Sequence, residues 1–390
     1  MVYIDVLTKL RIGESFMNII NINGKDYTFK QDQTILDVAQ ENDIFIPTLC
    51  YLKGASPTGA CRMCLVEVQG ARNLMTACST PAAKNMVVLT ESEAVVRSRK
   101  MTLELLLSSG NHNCAIGTGQ EVEWTGVQLE TQANDNTDQL CPVWGDCRLQ
   151  DLAYRYQVEG GRFKRVETNC PTETDNPMIV RDFSRCILCG RCVQACNEIQ
   201  VNKAISLGYR GVSTKVVASG DMPLNNSDCV FCGECIQACP VGALVENKSR
   251  YTWRPWKSEK IRTTCPYCGV GCQLWLHVQD NKIVKVTGVE DAEPNQGRLC
   301  VKGRFGYDFI YSDERLKTPL IRENDRFREA SWDEALDLVS DRFKKIVNDH
   351  GPDAVAGVSC ARSINEDSYQ MQKLFRAVFK TNNIDHCART

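Results

Sequence analysis

Alternating side chains open the readable part of the chain. Met17-Asn-Ile-Ile-Asn-Ile is a strand-like run, and Ile19 to Ile22 and Tyr27 to Phe29 flank Asn23-Gly24, a strong hairpin signal. The period then changes, because Thr34 to Asn42 puts Ile35, Val38 and Ala39 on one helical face. A second helical pattern covers residues 93 to 109, with Val96, Leu103, Leu106 and Leu107 on one side and Gly110 as its stop. Near the other end, Ser331-Trp-Asp-Glu334 predicts a capping box. It opens a helix whose face is Ala335, Leu336, Val339, Phe343, Ile346 and Val347, ending before Gly351-Pro352. Ala354 to Ser359 predicts a buried strand. Ser363-Ile-Asn-Glu366 predicts a second box, before a helix carrying Met371, Leu374, Phe375, Val378 and Phe379. These are the first elements of a nucleotide-binding-like α/β domain, which cannot close with so few.

Two stretches lack such patterning. Residues 115 to 140, rich in Gln, Asn, Thr and Glu, have the composition of a solvated loop. Residues 1 to 16 have no periodicity that would bury them. Translation is therefore expected to start at Met17, with purine-rich codons for Gly13-Glu14 serving as the ribosome-binding site. N-terminal sequencing of the native protein tests this, and a peptide spanning Ile4 to Ile12 would refute it.

The 390 residues carry a net charge of -2 with mixed signs throughout, which offers no basic field to nucleic acid. No stretch approaches the roughly 18 apolar residues of a membrane span. The first residues include Asp5, Lys9, Arg11 and Glu14, with no apolar signal region. A cytoplasmic protein without nucleic-acid or membrane partners is expected.

Chemistry enters with the cysteines. Of 22, 19 fall into five groups with ligand-like spacing. Cys50, Cys61, Cys64 and Cys78 give C-x10-C-x2-C-x13-C. His112 and Cys114 precede Cys141-Pro-Val-Trp-Gly-Asp-Cys147-Arg-Leu-Gln-Asp-Leu-Ala. Cys186-Ile-Leu-Cys189-Gly-Arg-Cys192-Val-Gln-Ala-Cys196 returns 43 positions later as Cys229-Val-Phe-Cys232-Gly-Glu-Cys235-Ile-Gln-Ala-Cys239. Cys265-Pro-Tyr-Cys268-Gly-Val-Gly-Cys272 is completed by Cys300-Val-Lys302-Gly303-Arg304. Tight C-x2-C spacing without a signal peptide points to metal rather than disulfides. Zinc is the alternative, but structural zinc sites pair two knuckles across a longer gap, whereas these four-cysteine runs repeat. Two-residue gaps let successive thiolates take adjacent corners of one cube, and Gly190 and Gly233 permit a positive φ that turns N–H groups toward sulfur.

Each group carries a resemblance. Hairpin, helix and the Ala60-Cys-Arg-Met-Cys64 loop resemble the β-grasp [2Fe-2S] ferredoxin over residues 17–92. The variant is that of NADH dehydrogenase large subunits, [FeFe]-hydrogenases and NAD-linked formate dehydrogenases. Residues 93–165 resemble the [4Fe-4S] segment of the same families, which implies His112, Cys114, Cys141 and Cys147 as ligands. The chain departs from that pattern in the insert 115–140 and in the single residue between His112 and Cys114. Residues 176–250 resemble a two-[4Fe-4S] ferredoxin, in which the fourth cysteine of each run ligates the other run's cluster. That implies Cys186, Cys189, Cys192 and Cys239 for one cluster, and Cys229, Cys232, Cys235 and Cys196 for the other. Residues 250 to 264, with Trp253 and Trp256, form an interdomain strap whose aromatics should pack on a neighbour.

Residues 258–314 resemble the [4Fe-4S] domain of molybdenum or tungsten bis-pterin oxidoreductases, especially formate dehydrogenases. This implies Cys265, Cys268, Cys272 and Cys300 as ligands, with Lys302 as an electron relay between cluster and pterin. Residues 330–390 resemble the start of the pterin-binding α/β domain, and Asn382-Asn-Ile-Asp-His-Cys-Ala-Arg-Thr390 resembles the segment preceding the metal-binding selenocysteine. The expectation is a frame interrupted at a UGA codon, which downstream sequencing tests. Cys360 and Cys387 are expected in cores, and Cys170 is unassigned.

The implied whole is an α+β multi-domain iron-sulfur protein with one [2Fe-2S] cluster, four [4Fe-4S] clusters and, in the full-length protein, a Mo or W bis-molybdopterin guanine dinucleotide. It would be the N-terminal part of a formate dehydrogenase catalytic subunit, exchanging electrons between formate/CO2 and an NAD(P)-binding flavoprotein, ferredoxin or hydrogenase subunit. An electron-transfer subunit of a hydrogenase or NADH dehydrogenase-type complex is the alternative.

Overall fold

The computed structural model describes residues 18–110, 112, 141–158, 162–164, 166 and 170–386. The expectations for the start at Met17, Cys114, the insert 115–140 and Cys387 lie outside the described residues. The chain divides into two compact units. The first runs to Trp256 apart from Val230–Gly233; the second comprises Val230–Gly233 and everything from Lys257 onward.

The first unit begins with the expected hairpin. Strands β1 (Asn18–Ile22) and β2 (Lys25–Phe29) pair antiparallel across Asn23 and Gly24, both at positive φ, 54° and 83°. The helix Ile35–Glu41 starts at Thr34, whose hydroxyl accepts from Asp37 N while the Asp37 carboxylate accepts from Thr34 N at 2.8 Å. Such reciprocal capping is worth about 1 kcal/mol. Strands β3 (Leu65–Val68), β4 (Met75–Thr76) and β5 (Val87–Leu89) complete a sheet of order β2-β1-β5-β3-β4, with β1 and β5 parallel. This β-grasp arrangement closes Ile20, Ile22, Leu36, Val66 and Val88 into one core, with Cys64 and Cys78 buried among them.

The helix Glu93–Ser108 follows, and it differs from its expected face. Its buried stripe is Val95, Arg99, Leu103 and Leu107, while Val96 and Leu106 are half-buried. The four-residue spacing of the stripe is helical as expected, but its centre is a guanidinium. Leu103 and Leu107 join a second core with Leu49 and Met63, with Leu149 and Leu152 of the helix Arg148–Arg155, and with Val241 and Ala243. Cys61, Cys147, Cys186 and Cys239 belong to or pack on this core. Strand Ile179–Asp182 pairs antiparallel with Leu244–Glu246, bringing the two ends of the repeat region together. The strap begins in this unit: Trp253 is buried, and a Cβ on Gly145 would lie 2.4 Å from the Trp256 ring.

The second unit contains a three-stranded antiparallel sheet of Glu259–Thr264, Gln273–Gln279 and Lys282–Gly288, with the short helix Val301–Phe305. The helix Trp332–His350 forms as expected, with the Ser331 hydroxyl accepting from Glu334 N at 3.1 Å. Its box is only half made, because the Glu334 carboxylate pairs with Arg328 instead. The second box does not form. Asn365–Lys373 is capped at Ile364 without a side-chain bond, and the Ser363 hydroxyl donates to Cys360 O at 2.8 Å. The strand is shorter than expected, Gly357–Ser359, parallel to Ile384–His386, and Val358 is 71% exposed. Cys360 is half-buried rather than in a core.

Candidate iron-sulfur sites

Cys50, Cys61, Cys64 and Cys78 are drawn from a loop, a tight turn and the end of a strand. Within the turn, Gly59 and Arg62 adopt positive φ of 60° and 59°. Cys50 Sγ accepts from Cys61 N, and Cys61 Sγ from Cys50 N, each at 3.4 Å. Cys64 Sγ and Cys78 Sγ stand 3.4 Å apart. The shared protons split the thiols: the hydrogen bond from Cys61 lowers Cys50 to about 5, and the same contact raises Cys61. Likewise Cys78 is lowered by its bond from Cys64, and Cys64 is raised. A site that draws in thiols and favours the ionised form of two of them suits a cationic iron centre, whose binding would displace their protons.

Cys186, Cys189, Cys192 and Cys239 line one cavity together with Val241 and Leu244. This is the cross-copy combination, with the fourth cysteine supplied by the second run. Burial pushes the Cys186 thiol up to about 11, Cys189 to about 12 and Cys192 well above its usual value; neighbouring thiols add to each. Thiolates are costly in such an apolar pocket unless metal neutralises them. The repeat is also visible in the backbone. Leu188 and Phe231 have φ of 52° and 53°, and Gly190 and Gly233 have 76° and 72°. Cys229, Cys232 and Cys235 are half-buried on the second copy of that turn. Cys196 Sγ accepts from Ala204 N at 3.3 Å.

His112, Cys141 and Cys147 are buried. Two buried arginines hold Cys141, neither of them signalled by the motif. Arg185 Nη1 donates to its Sγ at 3.5 Å, and Arg254 Nη2 to its carbonyl at 3.0 Å. Cys147 begins the helix Arg148–Arg155, and Arg148 N donates to Pro240 O at 2.9 Å.

In the second unit, Cys265 N donates to Cys272 O at 2.8 Å, closing the ligand turn. Burial raises both Cys265 and Cys272, and the thiols of Cys268 and Cys300 add to the effect. Gly303 lies against this turn, and a Cβ there would sit in ordinary contact, 3.4 Å from Cys265 Sγ. Cys300 is exposed, and so is Lys302 on the helix it begins. Arg304 of the same helix is buried and donates from Nε to Cys232 O at 2.8 Å, a contact no motif announces. Among the described residues, no group of three or more His, Cys, Asp or Glu side chains closes around a single-ion position. No helix among the described residues is long and apolar enough to cross a membrane.

Comparison with known proteins covers most of the chain. Residues 19–93 match the 2Fe-2S iron-sulfur cluster binding domain, and 185–243 the 4Fe-4S dicluster domain. Residues 258–312 match the molybdopterin oxidoreductase Fe4S4 domain, and 315–390 the molybdopterin oxidoreductase family itself. The NADPH-Fe(3+) oxidoreductase subunit alpha of Geobacter sulfurreducens is 37% identical over 370 residues, covering 95% of this chain and 40% of that protein. A Staphylococcus haemolyticus protein named "Putative formate dehydrogenase" is 32% identical over 410 residues, covering 95% of this chain and 39% of that protein. The chain thus spans about 40% of the length of these relatives. A crystal structure of an NAD+-reducing [NiFe]-hydrogenase in the H2-reduced state superposes with a TM-score of 0.51 at 27% identity, over 61% of this chain and 90% of that one. With the thiol groups gathered as described and four domain matches in the same order, the chain belongs to the molybdopterin oxidoreductases that carry Fe4S4 and 2Fe-2S domains.

Proposed function

We propose that this chain is the electron-carrying N-terminal part of a cytoplasmic formate dehydrogenase. The observation that carries the reading is the second core of the first unit, where the turns bearing Cys61, Cys147, Cys186 and Cys239 pack on the same apolar residues. Redox centres held by one core keep fixed separations, which electron transfer between them requires. The proposed ligands are Cys50, Cys61, Cys64 and Cys78 for a [2Fe-2S] cluster, and four [4Fe-4S] sets as the resemblance implied, with His112 and Cys114 completing the set of Cys141 and Cys147. Electrons from formate would enter at the Cys265 group, with Lys302 as relay, and pass through the dicluster region and the His112 group to the [2Fe-2S] site. A flavoprotein, ferredoxin or hydrogenase subunit would receive them there.

The clusters, when bound, supply one-electron chemistry, and a Mo or W bis-pterin centre supplies the two-electron chemistry of formate. This chain's own residues would hold iron through these sulfurs, line the Cys186 group with apolar side chains and direct N–H groups at Cys50, Cys61 and Cys196. The helix Trp332–His350 exposes Trp332 at 68% and Leu336 at 58%.

Formate-dependent viologen reduction by the native protein tests this reading. Activity with formate supports it, whereas viologen reduction by NADPH alone favours the second reading. That reading is an electron-transfer subunit of an NAD(P)H- or hydrogen-linked complex, favoured by the Geobacter relative and the hydrogenase structure.

A further inference from the structure

We propose that Arg99 is a positioning residue for the cofactor of the Cys50, Cys61, Cys64 and Cys78 site: it fixes the ligand turn and places a permanent positive charge behind it. The inference rests on the [2Fe-2S] reading of that site.

Arg99 occupies the middle of the stripe Val95, Leu103 and Leu107, where the helix pattern calls for an apolar side chain, and its own side chain is wholly buried. A guanidinium is stable there only if every face finds a partner. Nε donates to Met63 O at 3.0 Å and Nη2 to Leu65 O at 2.8 Å. These two carbonyls flank Cys64, so one planar fork grips the chain on both sides of a ligand. In a trans peptide the C=O and N–H point opposite ways, so holding the Met63 carbonyl turns the Cys64 N–H away from Arg99.

The remaining nitrogen completes the arrangement. Nη1 donates to Glu91 Oε1 and to Tyr156 Oη, each at 2.7 Å, and Tyr156 Oη donates to the same Glu91 oxygen at 3.1 Å. Tyr156 caps the helix Arg148–Arg155, which begins at Cys147. Arg99 therefore ties the [2Fe-2S] turn to the element bearing a ligand of the next proposed cluster. The charges are also unequally solvated. The Glu91 side chain is 45% exposed and that of Arg99 0%, so water screens the anion far more than the cation. The net field at the ligand turn is positive, and a positive field stabilises the form of a cluster that has gained an electron. One electron enters and no bond is made or broken.

The test is a mediator titration of the native protein, following the [2Fe-2S] signal by electron paramagnetic resonance at a temperature where [4Fe-4S] signals are broadened away. Arg99→Gln should lower the reduced-to-oxidised ratio at a fixed potential about tenfold, which is about 59 mV for a one-electron couple. Arg99→Lys, which keeps the charge, should restore the midpoint to within about threefold of the parent. Glu91→Gln should shift it the other way by about threefold, and because Glu91 is half in water this variant tests the charge even where Arg99→Gln loses the cluster. Unmoved midpoints in Arg99→Gln and Glu91→Gln, with the signal intact, overturn the role of Arg99 alone. Absence of any [2Fe-2S] signal from the parent protein overturns the site reading and the role with it.

Discussion

The helices Glu93–Ser108 and Trp332–His350 are both amphipathic and both capped by a serine, yet they end in opposite circumstances. The first buries Val95, Arg99, Leu103 and Leu107. The second is longer, with Leu336, Val339, Phe343 and Ile346 on one face, but none of its side chains is fully buried; Phe343 is half-buried, 4.9 Å from the Phe379 ring. Periodicity determines that a segment is helical and which face is apolar; burial needs a partner, which lies elsewhere in the chain. For the first helix the partners are the cysteine-bearing turns themselves. The core of the first unit is thus built from the same segments as the proposed electron path, and stability and cofactor spacing are coupled there.

The largest effect that would sharpen this comparison is expected from Cys239→Ala. It should abolish the cluster of Cys186, Cys189 and Cys192 while leaving that of Cys229, Cys232 and Cys235, read as loss of one [4Fe-4S] spectrum and its iron. Loss of the Cys229, Cys232 and Cys235 cluster in its place would show that each run binds its own. Leu103→Ala should then cost about 2–5 kcal/mol in unfolding free energy, because it opens a cavity where the ligand turns meet. A cost below about 1 kcal/mol would break the contrast between the helices.

Next comes pH. In the iron-free chain the Cys186 and Cys189 thiols titrate at about 11 and about 12, against 9.0 when unburied. Above pH 9 the unfolded chain releases protons that the folded chain retains, so stability is full below 9.0 and falls as pH rises. The slope should approach 1.4 kcal/mol per pH unit per thiol, checked by thermal unfolding across that window. A flat profile would mean that burial does not govern these thiols. The smallest effect is expected at Leu336→Ala, within about 0.5 kcal/mol, since the side chain is 58% exposed. A large loss would show that this face is covered in the protein tested.

Much of the fold was legible because its signals are local. Asn23-Gly24 specifies its own hairpin, Thr34 and Asp37 cap each other three residues apart, and the two runs at Cys186 and Cys229 carry glycines at equivalent left-handed turns. The misses share a different cause. The box at Ser331 is half made because Glu334 meets Arg328, and the box at Ser363 is lost because the helix starts one residue later, with Ile364 at its N-cap. In both places the outcome was set by contacts and a helix start that the spacing does not show. Arg99, Arg185, Arg254 and Arg304 were missed for the same reason: composition marks an arginine as a surface residue, and only the fold shows the carbonyls and the sulfur they hold.

By itself the sequence determined the number and spacing of the thiol groups, the repeat and where the helices lie, because each depends on residues close together in the chain. Only the tertiary structure showed Cys186, Cys189, Cys192 and Cys239 lining one cavity, which apolar face finds a core and which buried cations stand near the thiols. Those outcomes depend on contacts between segments tens of residues apart, such as Arg99 with Met63 and Tyr156. Desolvation there makes each partner obligatory, whereas in the sequence alone the same side chains are free to face water.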